Sequence, residues 1–72
     1  MSVEEHQRAD DEAYERAVEL IGRVVQGSFG TSFLQRHLMV GYNRASRVIE
    51  RLEADGVIRR LPLTPYEFRV NK

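Results

Sequence analysis

Apolar positions along this chain recur with a helical period in its first half. Ala13, Tyr14, Ala17, Val18, Ile21, Val24 and Val25 follow the i, i+3, i+4, i+7 spacing of an amphipathic helix from Tyr14 onward. Asp10 or Asp11 is placed to cap that helix, and Gln26-Gly27 to end it, since glycine takes the positive φ of a helix stop. Residues 1–9 ("MSVEEHQRA") have no clear period and read as a frayed, flexible segment. The connector "GSFGTS" holds one apolar residue, Phe29, suited to a short strand or to plugging the core. Ser32 followed by Gln35 fits a Ser-x-x-Gln capping box, which predicts a second helix from about Ser32 to Leu38 with Phe33, Leu34 and Leu38 on its apolar side.

"MVG" then makes a short turn, and a third helix is predicted from about Tyr42 to Ala54, stopping at Asp55-Gly56. "VIRRL" is rich in β-formers, "PLTP" interrupts it, and "YEFRV" alternates Tyr66, Phe68 and Val70 with Glu67 and Arg69, the period of a half-buried strand. Two helices joined by a short glycine-containing turn make a helix-turn-helix, and the hairpin after it is its wing. The expected fold is mainly α with a small β-hairpin: a winged helix-turn-helix of three helices plus wing, in one domain over residues 10–72.

Composition fits that picture. Seventy-two residues, 42% of them hydrophobic, suffice for one small core. Without cysteine there is no disulfide and no thiolate metal site, and neither a membrane-spanning run nor an apolar signal-peptide core is visible, so a cytoplasmic location is the default. The eleven basic and eleven acidic residues cancel, but unevenly. Acidic residues crowd the chain up to Glu15 (Glu4, Glu5, Asp10, Asp11, Glu12), whereas arginines dominate the chain from Arg16 onward. Such a split suits a body that meets a polyanion while its acidic end stays away; it also suits a helix start, where carboxylates are favourable.

The third helix has two faces. At about 100° per residue, Arg47 lies about 40° and Glu50 about 20° from Asn43, with Arg44 and Arg51 flanking, while Ala45, Ile49 and Leu52 gather on the opposite side between Val48 and Tyr42. Solvation alone would give the same separation. Two features set this helix apart: it is the second member of a helix-turn-helix, whose outer face enters the major groove, and its residue types match base-edge chemistry. Asparagine pairs bidentately with adenine, arginine with guanine O6 and N7, and glutamate accepts from cytosine N4. Asn43, Arg44, Arg47 and Glu50 are therefore the candidate base readers. Thr31, Ser32, Arg36, Tyr42, Arg51, Arg59, Arg60, Thr64 and Arg69 are the candidate phosphate contacts, with His37 beside Arg36; Tyr42 is expected half in the core.

The segment "SFLQRHLMVGYNRASRVIERLEADGVI" resembles the gamma domain at the C-terminus of the FtsK/SpoIIIE DNA translocases, on the strength of "GYNRAS", the Arg-apolar-apolar-Glu run after it, the Glu-x-x-Gly-apolar exit and "LQR" in the preceding helix. "YERAVELI" is similar to the family's first helix. The resemblance covers about residues 11–60 and implies sequence-specific recognition of short, polar, G-rich repeats in double-stranded DNA that direct a chromosome-segregation motor. It maps the family's recognition contacts to Asn43, Arg47 and Glu50, with Arg44 as neighbour, and implies contact with a Xer tyrosine recombinase. Ser46 replaces the usual alanine, and the wing "RRLPLTPYEFRV" departs from the family's common wing.

Other chemistry is not expected. "GRVVQGSF" lacks the lysine of a P-loop, so the motor is absent: the chain is expected to be either an excised domain, whose partner would be a translocase motor domain, or a stand-alone relative. His6 and His37 have no metal-ligand spacing, no serine sits in Gly-x-Ser-x-Gly, and Glu50 with Glu53 suit a solvated or base-contacting face better than acid–base work. No catalysis, metal, cofactor, small-molecule substrate or membrane contact is expected. Two rival readings are a stand-alone winged-helix regulator of plasmid or phage type and a winged helix that binds a protein without DNA.

Overall fold

The computed structural model describes residues 2–24, 27–64 and 66–71. The order is α1 (Val3–Val24), β1 (Ser28–Gly30), α2 (Thr31–Leu38), α3 (Tyr42–Ala54), β2 (Ile58–Arg60) and β3 (Glu67–Val70). The strands form one antiparallel sheet in the order β1-β3-β2. Phe29 lies opposite Phe68, and Ile58 opposite Val70. The chain is thus a small winged helix: three helices, a wing hairpin, and the strand before α2 added to the wing.

The helices pack through one core. Ala13, Ala17 and Ile21 of α1, Leu34 and Leu38 of α2, and Ala45, Val48, Ile49 and Leu52 of α3 are buried with Phe29, Ile58 and Phe68 of the sheet. Phe29 serves both expected roles at once. It sits on a strand and joins the core, its ring 5.8 Å from Phe33 and 6.1 Å from Phe68. Val18 is partly exposed, while Leu20, which lies off the helical period, packs against the core. Val25 and Gln26 lie outside the described residues, as does the side chain of Val24.

The first helix differs from its sequence reading at the start. It begins at Val3, not near Asp10. The cap is Ser2, whose hydroxyl accepts a hydrogen bond from the Glu5 backbone N–H at 3.2 Å. Asp10 and Asp11 are interior to the helix and cap nothing. "SVEE" is a Ser-x-x-Glu signature, which is the signal that could have found this start. The second helix begins at Thr31 after Gly30, with no side-chain cap, so the Ser32/Gln35 capping box does not form; Ser32 is already inside the helix, past the position from which a hydroxyl can cap. Met39, with φ of 55°, closes α2 in the left-handed region, and its N–H bonds the Gln35 carbonyl. Gly56 ends α3 at φ 77°, where a Cβ would be strained. Asn71 then ties the end of the sheet back to that turn through Gly56 O at 2.8 Å.

Leu52 is fully buried on α3. Leu52→Ala should cost about 2–5 kcal/mol through lost transfer energy and the cavity left behind. In a domain this small that should remove most of the folded population at ambient temperature, read by urea titration followed by circular dichroism. A midpoint close to that of the parent chain would contradict the packing described.

Candidate functional site

The third helix comes after a three-residue link, Met39-Val40-Gly41, beyond α2, and its first turn has no side-chain cap. Its bounds, Tyr42–Ala54, coincide with those expected from the glycines on either side. Asn43, Arg47 and Glu50 are exposed on one stripe, and the opposite stripe of Ala45, Ile49 and Leu52 is buried. Val48 is buried too, but Tyr42 is 62% exposed rather than half in the core. The reason is positional. Tyr42 is the first residue of α3, before the helix passes over the core, so its ring stands clear.

Asn43, Arg44 and Arg47 line one open groove with His6, Asp10, Gly41 and Tyr42. The presence of His6 and Asp10 there is unexpected. Because α1 starts early, its acidic residues lie against the polar flank of α3 instead of standing apart from it. One Asp10 oxygen accepts from Arg44 Nε at 2.9 Å and from Arg47 Nη2 at 3.1 Å, and the other accepts from Arg47 Nε at 2.8 Å. Asp11 accepts from Arg51 Nη1 at 2.7 Å. The Arg51 guanidinium also lies 4.1 Å from the centre of the Tyr14 ring, and the Tyr14 hydroxyl donates to Asp55 at 2.6 Å. Three of the arginines singled out in the sequence, Arg44, Arg47 and Arg51, are thus tied to α1.

These contacts shift ionisation in consistent directions. The hydrogen bonds from Arg47 hold the Asp10 carboxyl below its ordinary 3.8, with Arg44 adding to the effect and burial opposing it. The same bond raises Arg47, and the Asp11 bond raises Arg51. The hydrogen bond to Asp55 raises the Tyr14 phenol.

The candidate phosphate contacts fall in separate places. Thr31 and Ser32 open α2, Thr31 half-buried and Ser32 exposed. Arg36 and His37 are exposed on the same helix; the His37 ring stacks 4.2 Å from Phe33 and its Nδ1 bonds the Phe33 carbonyl at 2.9 Å. In the wing, Arg59 of β2 and Arg69 of β3 are direct cross-strand partners, both exposed. Like charges placed opposite one another destabilise a sheet unless something compensates them. Arg60 is engaged otherwise, with Glu53 at 3.4 Å and over the Phe68 ring at 4.9 Å. Thr64 is exposed near the wing tip, and its carbonyl accepts from the Glu67 N–H. Among the described residues no group of three His, Asp or Glu side chains is placed to hold a metal ion, and no helix is long and apolar enough to cross a membrane.

Comparison with known proteins converges on one family. Residues 8–61 match the family described as "Ftsk gamma domain". The chain is 48% identical over 48 residues, 67% of its length, to the DNA translocase FtsK of Treponema pallidum (strain Nichols), of which it covers 6%. It is 39% identical over 61 residues, 85% of its length, to the DNA translocase FtsK of Halalkalibacterium halodurans, of which it covers 7%. To the DNA translocase SftA of Bacillus subtilis (strain 168) it is 45% identical over 51 residues, 71% of its length, covering 5% of that relative. The chain therefore corresponds to a small fraction of the curated relatives it matches. No solved structure matches it.

The lowered Asp10 ionisation has a sign that can be checked. A depressed folded-state value contributes stability that is complete above the unfolded value, near 3.8, and is lost as pH falls through the folded value. The gap in thermal midpoint between the parent chain and Asp10→Asn should therefore be widest at neutral pH, above the unfolded value, and close as pH falls through the lowered folded value. A gap that stays constant across that range would mean the carboxylate charge is not what matters there.

Proposed function

The chain belongs to the Ftsk gamma domain family, and from that membership we propose that it is a sequence-specific reader of double-stranded DNA. The observation that carries the reading is the exposed stripe of Asn43, Arg47 and Glu50 on the second helix of a helix-turn-helix, backed by a buried stripe of Ala45, Ile49 and Leu52. In this reading α3 enters the major groove. Arg47 takes a guanine, Asn43 an adenine and Glu50 a cytosine amine, with Arg44 beside them. The uncapped first turn of α2, with Thr31 and Ser32, meets a phosphate, as do Arg36, Tyr42 and Arg51. The opposed pair Arg59 and Arg69, which has no ion pair among the described residues, takes a counter-charge from the DNA backbone, and Arg60 and Thr64 extend the wing contact.

The relatives are named DNA translocases, which supports a setting in which this domain steers a motor by the polarity of the sites it reads. The proposed target is a short, polar, G-rich repeat. A single small neutral domain would hold one site weakly, and several copies on one motor would supply avidity. Contact with a Xer tyrosine recombinase belongs to the same proposal, as does a cytoplasmic location. The domain binds and directs; the motor chemistry lies elsewhere.

The test is a fluorescence-anisotropy titration of a short duplex carrying a G-rich octamer against a scrambled duplex, at two salt concentrations. The octamer should be preferred, and Arg47→Ala should reduce that preference by about 1–3 kcal/mol. Equal binding to both duplexes with a steep salt slope would leave backbone contact alone. Absence of binding would overturn the reading in favour of a protein partner.

A further inference from the structure

Among the described residues Asp10 is the one acidic side chain that bonds two candidate base readers, and its geometry toward Arg47 is specific. The carboxylate engages Nε at 2.8 Å and Nη2 at 3.1 Å, the side edge of the guanidinium, in a two-point pair. A guanidinium has five N–H donors in a rigid plane. The side-edge pair uses two of them. Among the described residues Nη1 of Arg47 makes no hydrogen bond, so the end-on edge of Nη1 and Nη2 remains available. That edge is the one a guanine needs, since O6 and N7 are matched by two parallel donors.

We propose that Asp10 is a positioning residue for base reading: it fixes the Arg47 guanidinium by its side edge so that its distal edge is presented to a guanine, and Arg44 braces the same carboxylate from the other side. The inference rests on the DNA-reading function proposed above. Its physical effects are two. An arginine left free at the surface must surrender rotamer freedom on binding, and one already held surrenders less. The carboxylate also offsets part of the positive charge of Arg44 and Arg47, which weakens the sequence-independent attraction to phosphates. Both effects act on the ratio of specific to non-specific binding. The residue lies inside α1, one turn ahead of Ala13, where the helix first packs into the core. His6, one turn earlier, lines the same groove.

The experiment compares the intact chain with Asp10→Asn, Arg47→Ala and the double variant on three kinds of duplex: the G-rich octamer, its scrambled version, and a series of octamers with 7-deazaguanine, which lacks the N7 acceptor, at each guanine in turn. Asp10→Asn should lower the octamer-to-scrambled preference about tenfold, within the discrimination a bidentate arginine–guanine pair provides. It should do so with scrambled-duplex binding unchanged or tighter. The guanine whose deaza substitution hurts the intact chain should become tolerant in Asp10→Asn, and Asp10→Asn should change the preference no further once Arg47 is alanine. Asp10→Glu, which keeps the charge, should recover part of the preference; it carries the test if Asp10→Asn unfolds, and a full tenfold loss in Asp10→Glu at an unchanged thermal midpoint would then count against the proposal. If Arg47→Ala abolishes the preference and Asp10→Asn leaves it intact, the positioning role is wrong and the reading function stands. If Asp10→Asn tightens octamer and scrambled duplexes equally, the carboxylate merely masks charge and the proposal is overturned. If Arg47→Ala itself leaves the preference unchanged, the underlying DNA-reading assignment fails instead.

Discussion

The structure depends on how α1 lies against α3. Ala13 and Ala17 on one helix and Ala45 on the other are all buried, and residues this small let two helix backbones approach closely. Everything polar at the site results from that approach. With α1 close in, its solvent-side neighbours Asp10, Asp11 and Tyr14 fall within hydrogen-bond reach of Arg44, Arg47, Arg51 and Asp55. A larger residue at Ala13 or Ala17, both buried, would overpack this part of the core. The core and the outer face of α3 are therefore coupled through backbone separation, although they point in opposite directions.

The ion pairs themselves are a poor explanation of stability. Their partners keep a quarter to a half of their side-chain exposure, and such pairs contribute roughly 0–1 kcal/mol each. Burial of Leu34, Leu38, Val48, Ile49, Leu52, Ile58 and Phe68 is the larger contribution. What the pairs do fix is direction. A long arginine held at two points has few rotamers left, and three arginines on one flank are held by two aspartates from one helix. The local positive potential is consequently lower than the arginine content of α3 suggests.

Much of this is legible in the residues. Gly41 and Gly56 bracket α3, and its apolar stripe has a clean helical period, so its limits and its buried face can be read directly. The wing strands are visible in the alternation around Phe68. The early part of α1 is not legible, because residues 3–8 are all exposed and a hydrophobic period reports burial, not helicity. There the helix is supported by the Ser2 cap and by continuity with the packed turns after it. The Asp10–Arg47 pair spans 37 positions, so no local spacing could signal it. Tyr42 departs from expectation because a face drawn on a helical wheel takes no account of where along the helix the core begins.

The sheet has one further consequence, for how copies of this domain behave when crowded. With the order β1-β3-β2, the inner strand has a neighbour on each side and the two outer ones carry the open hydrogen-bonding edges. Both are three residues long, and β2 presents Arg59 and Arg60. Short edges, one of them carrying two arginines, are poor templates for another chain's strand. Domains brought side by side would thus meet through side chains and stay separate molecules, without fusing into a continuous β-structure.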